Sequence, residues 1–424
     1  MIKRHIFSYP RIVGVFSCLC ISLLTASCTA YRMTNSNVEY ITAASMGCIG
    51  DGKYDNTKSF KALNNAIAKS TKERIIVEFS AGIYSTFQGL EVYGKKKVCI
   101  KGNNATIKKI APRWSVDNLA IYIVDTKNIE VEDLSIDMRV IDANTPTKEA
   151  YRYYAIWCRM DNVPAEKIDI HGCTFIDNLS VPNSMVKPYN GTIWLGSYGT
   201  RGCNATISRN IFENSCGRVI YTTNMSNIKI VGNVINNASP LLYDCKYINQ
   251  ELICFRQIGC DHVLIRDNKL KLSPKAYRFA SHKIFEVNCN DNDFVPLRNC
   301  EIANNYIDCS ELPGNVSCIV LHLESGDGVK CYKNTVVLNN SDNSYFTYFN
   351  KSQKHHLVRD IQIEKNVVKG VTNGTIFLRG VNDTKAISVS RNTFYVDREF
   401  DSLLSGEDCN TTSATFSKNK VLKR

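Results

Sequence analysis

The chain has no C-x-x-C pair, no H-E-x-x-H and no EF-hand loop. Zinc-ribbon, thioredoxin-like and zincin readings therefore have no support. Glycine (23) and proline (10) are not in excess over 424 residues, which excludes collagen-like and low-complexity chains. Beyond the first 27 residues no apolar run is long enough to span a bilayer. Acidic residues are the minority, 40 against 52 basic, for a formal net charge of +12. The basic residues are dispersed, which disfavours nucleic acid and suits an acidic partner.

What is present is the composition of a folded protein, 44% hydrophobic and 22% charged. Lys3, Arg4 and Arg11 precede the apolar run "IVGVFSCLCISLL" and then "TASC". Residues 1–27 read as an export signal. The small residues before Cys28 resemble a bacterial lipoprotein cleavage box, with Thr25 where leucine is usual. A lipidated Cys28 would anchor the chain to a membrane in the cell envelope; a plain secretory signal is the other reading. Residues 28–46 are expected to form a linker and 47–424 a single domain.

Cysteine is abundant, 18 residues. Export permits disulfides, but the chain is far longer than a disulfide scaffold. Cys158, Cys173, Cys254, Cys318 and Cys331 lie within apolar alternating patterns, so most thiols are expected buried and free. Cys254 with Cys260, or Cys300 with Cys309, are candidate pairs.

One phrase recurs from residue 98 onward: an alternating strand, usually an asparagine, then a second apolar pair. Clear copies include "NATISRNIFEN" at 204–214, "NIKIVGNVINN" at 227–237 and "AISVSRNTFYV" at 386–396. The turn positions are 103, 134, 173, 210, 233, 268, 305, 334, 366, 392 and 419, with intervals of 23 to 39 residues. Asparagine stands at eight of them from 210 onward, and at 103 in a weaker copy. Such variable spacing suits short strands joined by elastic loops, not a fixed helical repeat. The predicted fold is an all-β parallel solenoid of about 11 coils, its period-two strands burying one face by stacking. Asparagine tolerates left-handed turns and bonds to its counterpart in the next coil, so the row is expected to be structural.

A second phrase places an aromatic between aliphatic residues, as in "IYI" 121–123, "IWC" 156–158, "IWL" 193–195, "IYT" 220–222, "CFR" 254–256, "IFE" 284–286 and "IFL" 376–378. With the flanking residues inward, Tyr122, Trp157, Trp194, Tyr221, Phe255, Phe285 and Phe377 face outward. An exposed apolar row is a platform for sugar rings; covering by loops or a subunit is the equal alternative. Inverted parity would make these rings core.

The opening "GCIGDGKYDNTKSFKALNNAI" at 47–67, followed by "IIVEFSAGIYST" at 75–86, resembles the N-terminal signature of the pectate-lyase-like right-handed parallel β-helix superfamily. Ser80 stands where that signature has proline, and Gly82 and Tyr84 match it. With the repeats, the resemblance covers 47–424. It implies a right-handed β-helix whose N-terminal helix caps the first coil. Locally, Gly50 and Gly52 allow a tight turn, Asp55 to Thr57 start the helix, and Phe60, Leu63, Ala66 and Ile67 share its inner face. Asp51 is expected to accept backbone N–H groups rather than to catalyse.

The superfamily includes lyases, glycosidases, epimerases and adhesins, so the resemblance does not select a reaction. The motifs of polygalacturonase-like members are missing; "DND" at 291–293 and "SGDG" at 325–328 are the nearest traces. No acidic cluster like that of calcium-dependent pectate lyases is evident. No cofactor is required by the sequence, although calcium is an option; the metal question stays open. The expected catalytic residues are His322, Glu324, Arg256, Glu286 and Lys283, with His322 and Glu324 as the favoured couple. The expected substrate-binding residues are Trp157, Arg159, Trp194, Tyr221, Phe255, Phe285 and Arg379. Arg159, Lys283, His322 and Arg379 match the parity of the aromatic row, whereas Arg256, Glu286 and Glu324 oppose it. The expected partner is a polysaccharide, most simply an acidic, uronate-containing one, attacked by β-elimination or hydrolysis. A noncatalytic surface glycan-binding or adhesive β-helix is the alternative. The oligomeric state is not legible.

Overall fold

The computed structural model describes residues 37–110, 118–139, 153–176, 191–196, 199–215, 217–238, 249–256, 259–274, 281–288, 297–350, 357–371, 375–379, 387–396, 404–405 and 414–423. Cys28, the expected lipidation site, lies outside them. No helix among the described residues is long and apolar enough to cross a membrane.

The strands form a right-handed parallel β-helix. An eleven-stranded sheet takes one strand from each coil, and a larger sheet takes the next two. In one coil these are Gly191–Leu195, then Gly202–Ser208 and Ile211–Glu213. Ile193, Ile207 and Phe212 from these strands point into the central core with their counterparts above and below. Period-two alternation supplies these inward rows, and stacking removes them from water.

The capping helix is Thr57–Lys69, and Phe60, Leu63 and Ile67 are its fully buried apolar residues. Phe60 meets Phe79, which meets Tyr84 edge-on, so the cap seals onto the first coil. Asp51 Oδ1 accepts the N–H groups of Lys53 and Tyr54 at 2.8 Å, as expected of a turn residue. These hydrogen bonds lower its pKa. Asp55 accepts the backbone N–H of Thr57 at the helix start. Asn56, fully buried, ties the turn together by accepting from Ile49 N and donating to the Ile49, Tyr54 and Ser85 carbonyls. Gly82 is required because a Cβ there would lie 2.5 Å from the Gly50 carbonyl oxygen. Regular structure begins before residue 47: Val38–Thr42, inside the expected linker, is a strand paired with Arg74–Glu78.

The asparagine row is a continuous buried ladder. From Asn210 to Asn392, each Nδ2 donates to the Oδ1 of the asparagine one coil on, at 2.9–3.1 Å. The same Oδ1 accepts the backbone N–H of the preceding asparagine. The second amide hydrogen reaches a carbonyl of the previous coil, such as Ile207 for Asn233 and Ile265 for Asn305. The left-handed residue is not the ladder asparagine itself but the one before it: Arg209, Asp267, Asn304, Lys333, Lys365, Arg391 and Lys418 have φ of 54–59°. The hydrogen bonds of the ladder offset that backbone cost. Asn103 stands apart, with its own φ of 41° and an amide bonded to Glu78.

Candidate active site

Parallel pairing in the eleven-stranded sheet aligns one residue per coil into an outward row. It reads Glu91, Tyr122, Trp157, Trp194, Tyr221, Cys254, Glu286, His322, Tyr348 and Phe377. Tyr122, Trp157, Trp194, Tyr221 and Phe377 occupy it as expected. Phe255 and Phe285 do not; both point into the central core. The positions they were expected to fill belong to Cys254 and Glu286.

The difference has a local cause. In each of these strands two consecutive residues face the core: Ala155 and Ile156, Val219 and Ile220, Leu252 and Ile253, Ile284 and Phe285, Val320 and Leu321. Strict alternation breaks there, and the outward residue follows the pair. The same break brings Glu286 onto the row beside His322 and leaves Lys283 on the outer side of its strand. Tyr348 was missed for the same reason, since "FTY" at 346–348 presents its last residue outward. Aligning the inner pairs, instead of the aromatics, would have found it.

The first half of the row is an aromatic stack. Trp157 and Trp194 are parallel at 4.3 Å, flanked by Tyr122 at 5.0 Å and Tyr221 at 5.3 Å. Tyr154 packs on both tryptophans. Trp157 is only 2% exposed, and Trp194 8%. The stack is thus a second apolar core outside the sheet, joined by Leu119 and Cys254, and not the open platform that was one of the expectations. Arg159 straps it, with Nε 2.8 Å from Asp161, NH1 3.3 Å from the Tyr122 hydroxyl and its guanidinium 5.6 Å above Trp157. Arg218 lies over Tyr221 in the same manner.

The second half carries the charged cluster. Glu286 is fully buried, and its carboxylate receives Lys283 Nζ at 2.9–3.0 Å and His322 Nδ1 at 2.9 Å. Burial opposes its ionisation, but His322 and Lys283 outweigh that and hold the carboxyl down to about 2. The ionised carboxylate only accepts, so His322 Nδ1 carries the proton of their hydrogen bond. That leaves Nε2 as the basic ring nitrogen. Tyr348 lies on the other side, with ring centroids 5.3 Å from His322, and stacks on Phe377 at 4.5 Å.

Glu324, two residues beyond His322, offers a carboxylate oxygen within 4.8 Å of ligand atoms of both Glu286 and His322. The trio is a poor calcium cradle: calcium takes about six to eight oxygen ligands, whereas this cluster contains an imidazole nitrogen and the Lys283 ammonium on the central carboxylate. Arg256 and Arg379 end the strands Asn249–Arg256 and Ile376–Arg379, and their side chains lie outside the described residues. Elsewhere in the middle coils, His282 is buried, whereas Asp261 and His262 lie on the larger sheet. Asp244 and Asp291 lie outside the described residues.

No protein-family model matches the chain, and no curated protein matches it. Solved structures do. The GH136 lacto-N-biosidase from Eubacterium ramulus aligns with 96% of this chain and 71% of its own, at 12% identity and a TM-score of 0.51. The A-module of a mannuronan C-5 epimerase from Azotobacter vinelandii aligns over 91% and 95%, at 11% identity and a TM-score of 0.50. A surface adhesin of Streptococcus pneumoniae aligns over 91% and 92%, at 14% identity and a TM-score of 0.45. At these identities the likeness concerns the fold.

Proposed function

We propose that the protein is a carbohydrate-active enzyme that cleaves a uronate-containing polysaccharide by β-elimination, with His322 as the base. The observation that carries this reading is the buried Glu286 carboxylate on His322 Nδ1, in a row whose other members are mostly aromatic. A carboxylate behind an imidazole fixes its tautomer and stabilises the imidazolium formed when Nε2 takes a proton. The proton comes from C5 of the uronate. The negative charge then spreads onto the sugar carboxylate, where Lys283, the nearest described cation, lowers its cost. The C4–O bond breaks, and the Tyr348 hydroxyl is the proposed donor to the departing oxygen. The positive balance of the chain suits such a substrate.

Hydrolysis is the less favoured chemistry. It needs a protonated acid and a second carboxylate across the scissile bond, whereas Glu286 is wholly buried, ionised and doubly bonded. The same reading retains export by residues 1–27 and a lipid anchor at Cys28 in the cell envelope.

The test is incubation of the full chain with a panel of polyuronates and neutral glycans, following ultraviolet absorbance of unsaturated uronate ends together with reducing ends. Absorbance should rise on a polyuronate, and His322→Gln should lower its rate by about 10²–10⁴-fold with glycan binding and the circular dichroism spectrum retained. Reducing ends without absorbance would replace elimination by hydrolysis. Binding without either product would favour the adhesive alternative.

A further inference from the structure

The turn that precedes the strand of His322 brings two thiols together. Cys309 follows Tyr306–Asp308, and Cys318 lies in Ser317–Leu323, the strand that carries His322. Both side chains are fully buried, and their Sγ atoms are 3.1 Å apart. That is about 1 Å longer than a disulfide bond of about 2.05 Å. Neither of the expected pairs, Cys254 with Cys260 or Cys300 with Cys309, is the one that forms this contact.

The surrounding backbone is held by bonds that do not involve sulfur. Cys309 N donates to Val337 O at 2.8 Å, and Cys318 N donates to Ser344 Oγ at 3.0 Å. Between the two cysteines, Leu312 N reaches Cys309 O and Val316 N reaches Pro313 O. Asn339 Nδ2 then donates to the Pro313 and Val316 carbonyls, and its Oδ1 accepts from Ser344 Oγ. The turn thus presents the two side chains to each other whether or not they are bonded.

We propose that Cys309 and Cys318 are a disulfide site, closed as the chain folds in an oxidising compartment. This rests on the export reading and is independent of the reaction assigned to His322. In the first step the thiolate of one cysteine attacks a sulfur of an external disulfide donor, and the donor's other sulfur leaves as thiolate. The thiolate of the second cysteine then displaces the donor from the mixed disulfide. In sum the two cysteines give up two protons and two electrons, and the donor disulfide becomes two thiols. Once the turn has closed, the hydrogen-bonding contact with the Cys318 thiol and burial hold Cys309 protonated, its pKa well above that of an ordinary thiol. A protonated, inaccessible sulfur exchanges slowly, so bond formation precedes burial, and the finished bond is shielded from reductants. It ties the turn to the strand that presents His322.

The full chain is reduced, denatured and refolded in a glutathione redox buffer, quenched by alkylation, digested and mapped by mass spectrometry. The expected result is a linked peptide pair containing Cys309 and Cys318, separated by reductant and missing from Cys309→Ser. Alkylation of both cysteines in the folded, unreduced protein would overturn the proposal, as would linkage of either to another cysteine. In a second measurement, reduction should lower the Tm of the wild type more than that of a Cys309→Ser, Cys318→Ser double variant. Equal shifts would also overturn it. The buffer supplies the oxidant and neither readout uses a polysaccharide, so a failed turnover assay or a failed export assay is a separate result.

Discussion

Two rows of buried polar side chains run through this solenoid, and they differ in one respect. The asparagine ladder repeats in every coil from Asn210 to Asn419, each amide bonded to the next. The Glu286–His322–Lys283 cluster occurs once, in a row whose other members are mostly aromatic. Neutral amides that repeat with the coil satisfy one another and need no counter-ion. A charge that appears in only two coils has no periodic partner and must be neutralised locally, at the cost of its desolvation. In a repetitive protein, polarity that follows the period belongs to the scaffold, and polarity that breaks it marks a candidate for chemistry.

The strongest way to break the comparison is Asn305→Leu. It removes the acceptor for Asn268 N and Nδ2 and the donor to the Ile265 carbonyl. With about 1–3 kcal/mol for each buried group left unsatisfied, destabilisation of about 4 kcal/mol or more is expected. Urea denaturation measures it, and hydrogen exchange should show the loss concentrated in the coils around residue 305. A stable variant with unchanged exchange would remove the ladder from the scaffold.

Glu286→Gln comes next, because it keeps the shape and removes the charge beneath His322 and Lys283. At neutral pH it should cost about 3 kcal/mol and depress turnover. The pH dependence sharpens the point. The carboxyl is lowered on folding from its ordinary 4.5 to about 2. Its ionisation therefore contributes fully above pH 4.5 and is lost as pH falls toward 2. The stability gap between wild type and Glu286→Gln should close across that window. A gap independent of pH would mean that shape, not charge, holds the cluster. The smallest effect is expected at Arg359→Ala, which removes the exposed two-point pair with Asp327 at 2.7–2.9 Å. A change within about 1 kcal/mol is expected by thermal melting, even though this pair, too, joins successive coils.

Much of the fold is legible in the sequence. The Gly-Asp-Gly turn, the capping face of Phe60, Leu63 and Ile67, and the asparagine spacing each reflect a local or strictly periodic constraint. The candidate site was legible in part. His322, Glu286, Lys283 and Glu324 could be named, but the expected couple was His322 with Glu324, whereas the tight contact is His322 with Glu286. Phe255 and Phe285 were placed outward and Tyr348 was passed over. Phe285 is itself the second residue of an inner pair, Phe255 lies one residue past the outward position, and Tyr348 follows the buried Phe346 and Thr347. One residue of shift reverses every side chain beyond it.

By itself, then, the sequence determined the architecture: alternating strands that can be buried only by stacking, with a turn amide that bonds to its own kind. Those requirements act within a coil or between identical coils, so they recur and can be read. Only the tertiary structure decided which side of the sheet each residue takes after the break in alternation. It also decided that the tryptophans are covered, and that Cys309 meets Cys318 rather than Cys300. Those outcomes depend on the register between coils whose loops differ in length, and register is set by the packing of the whole stack.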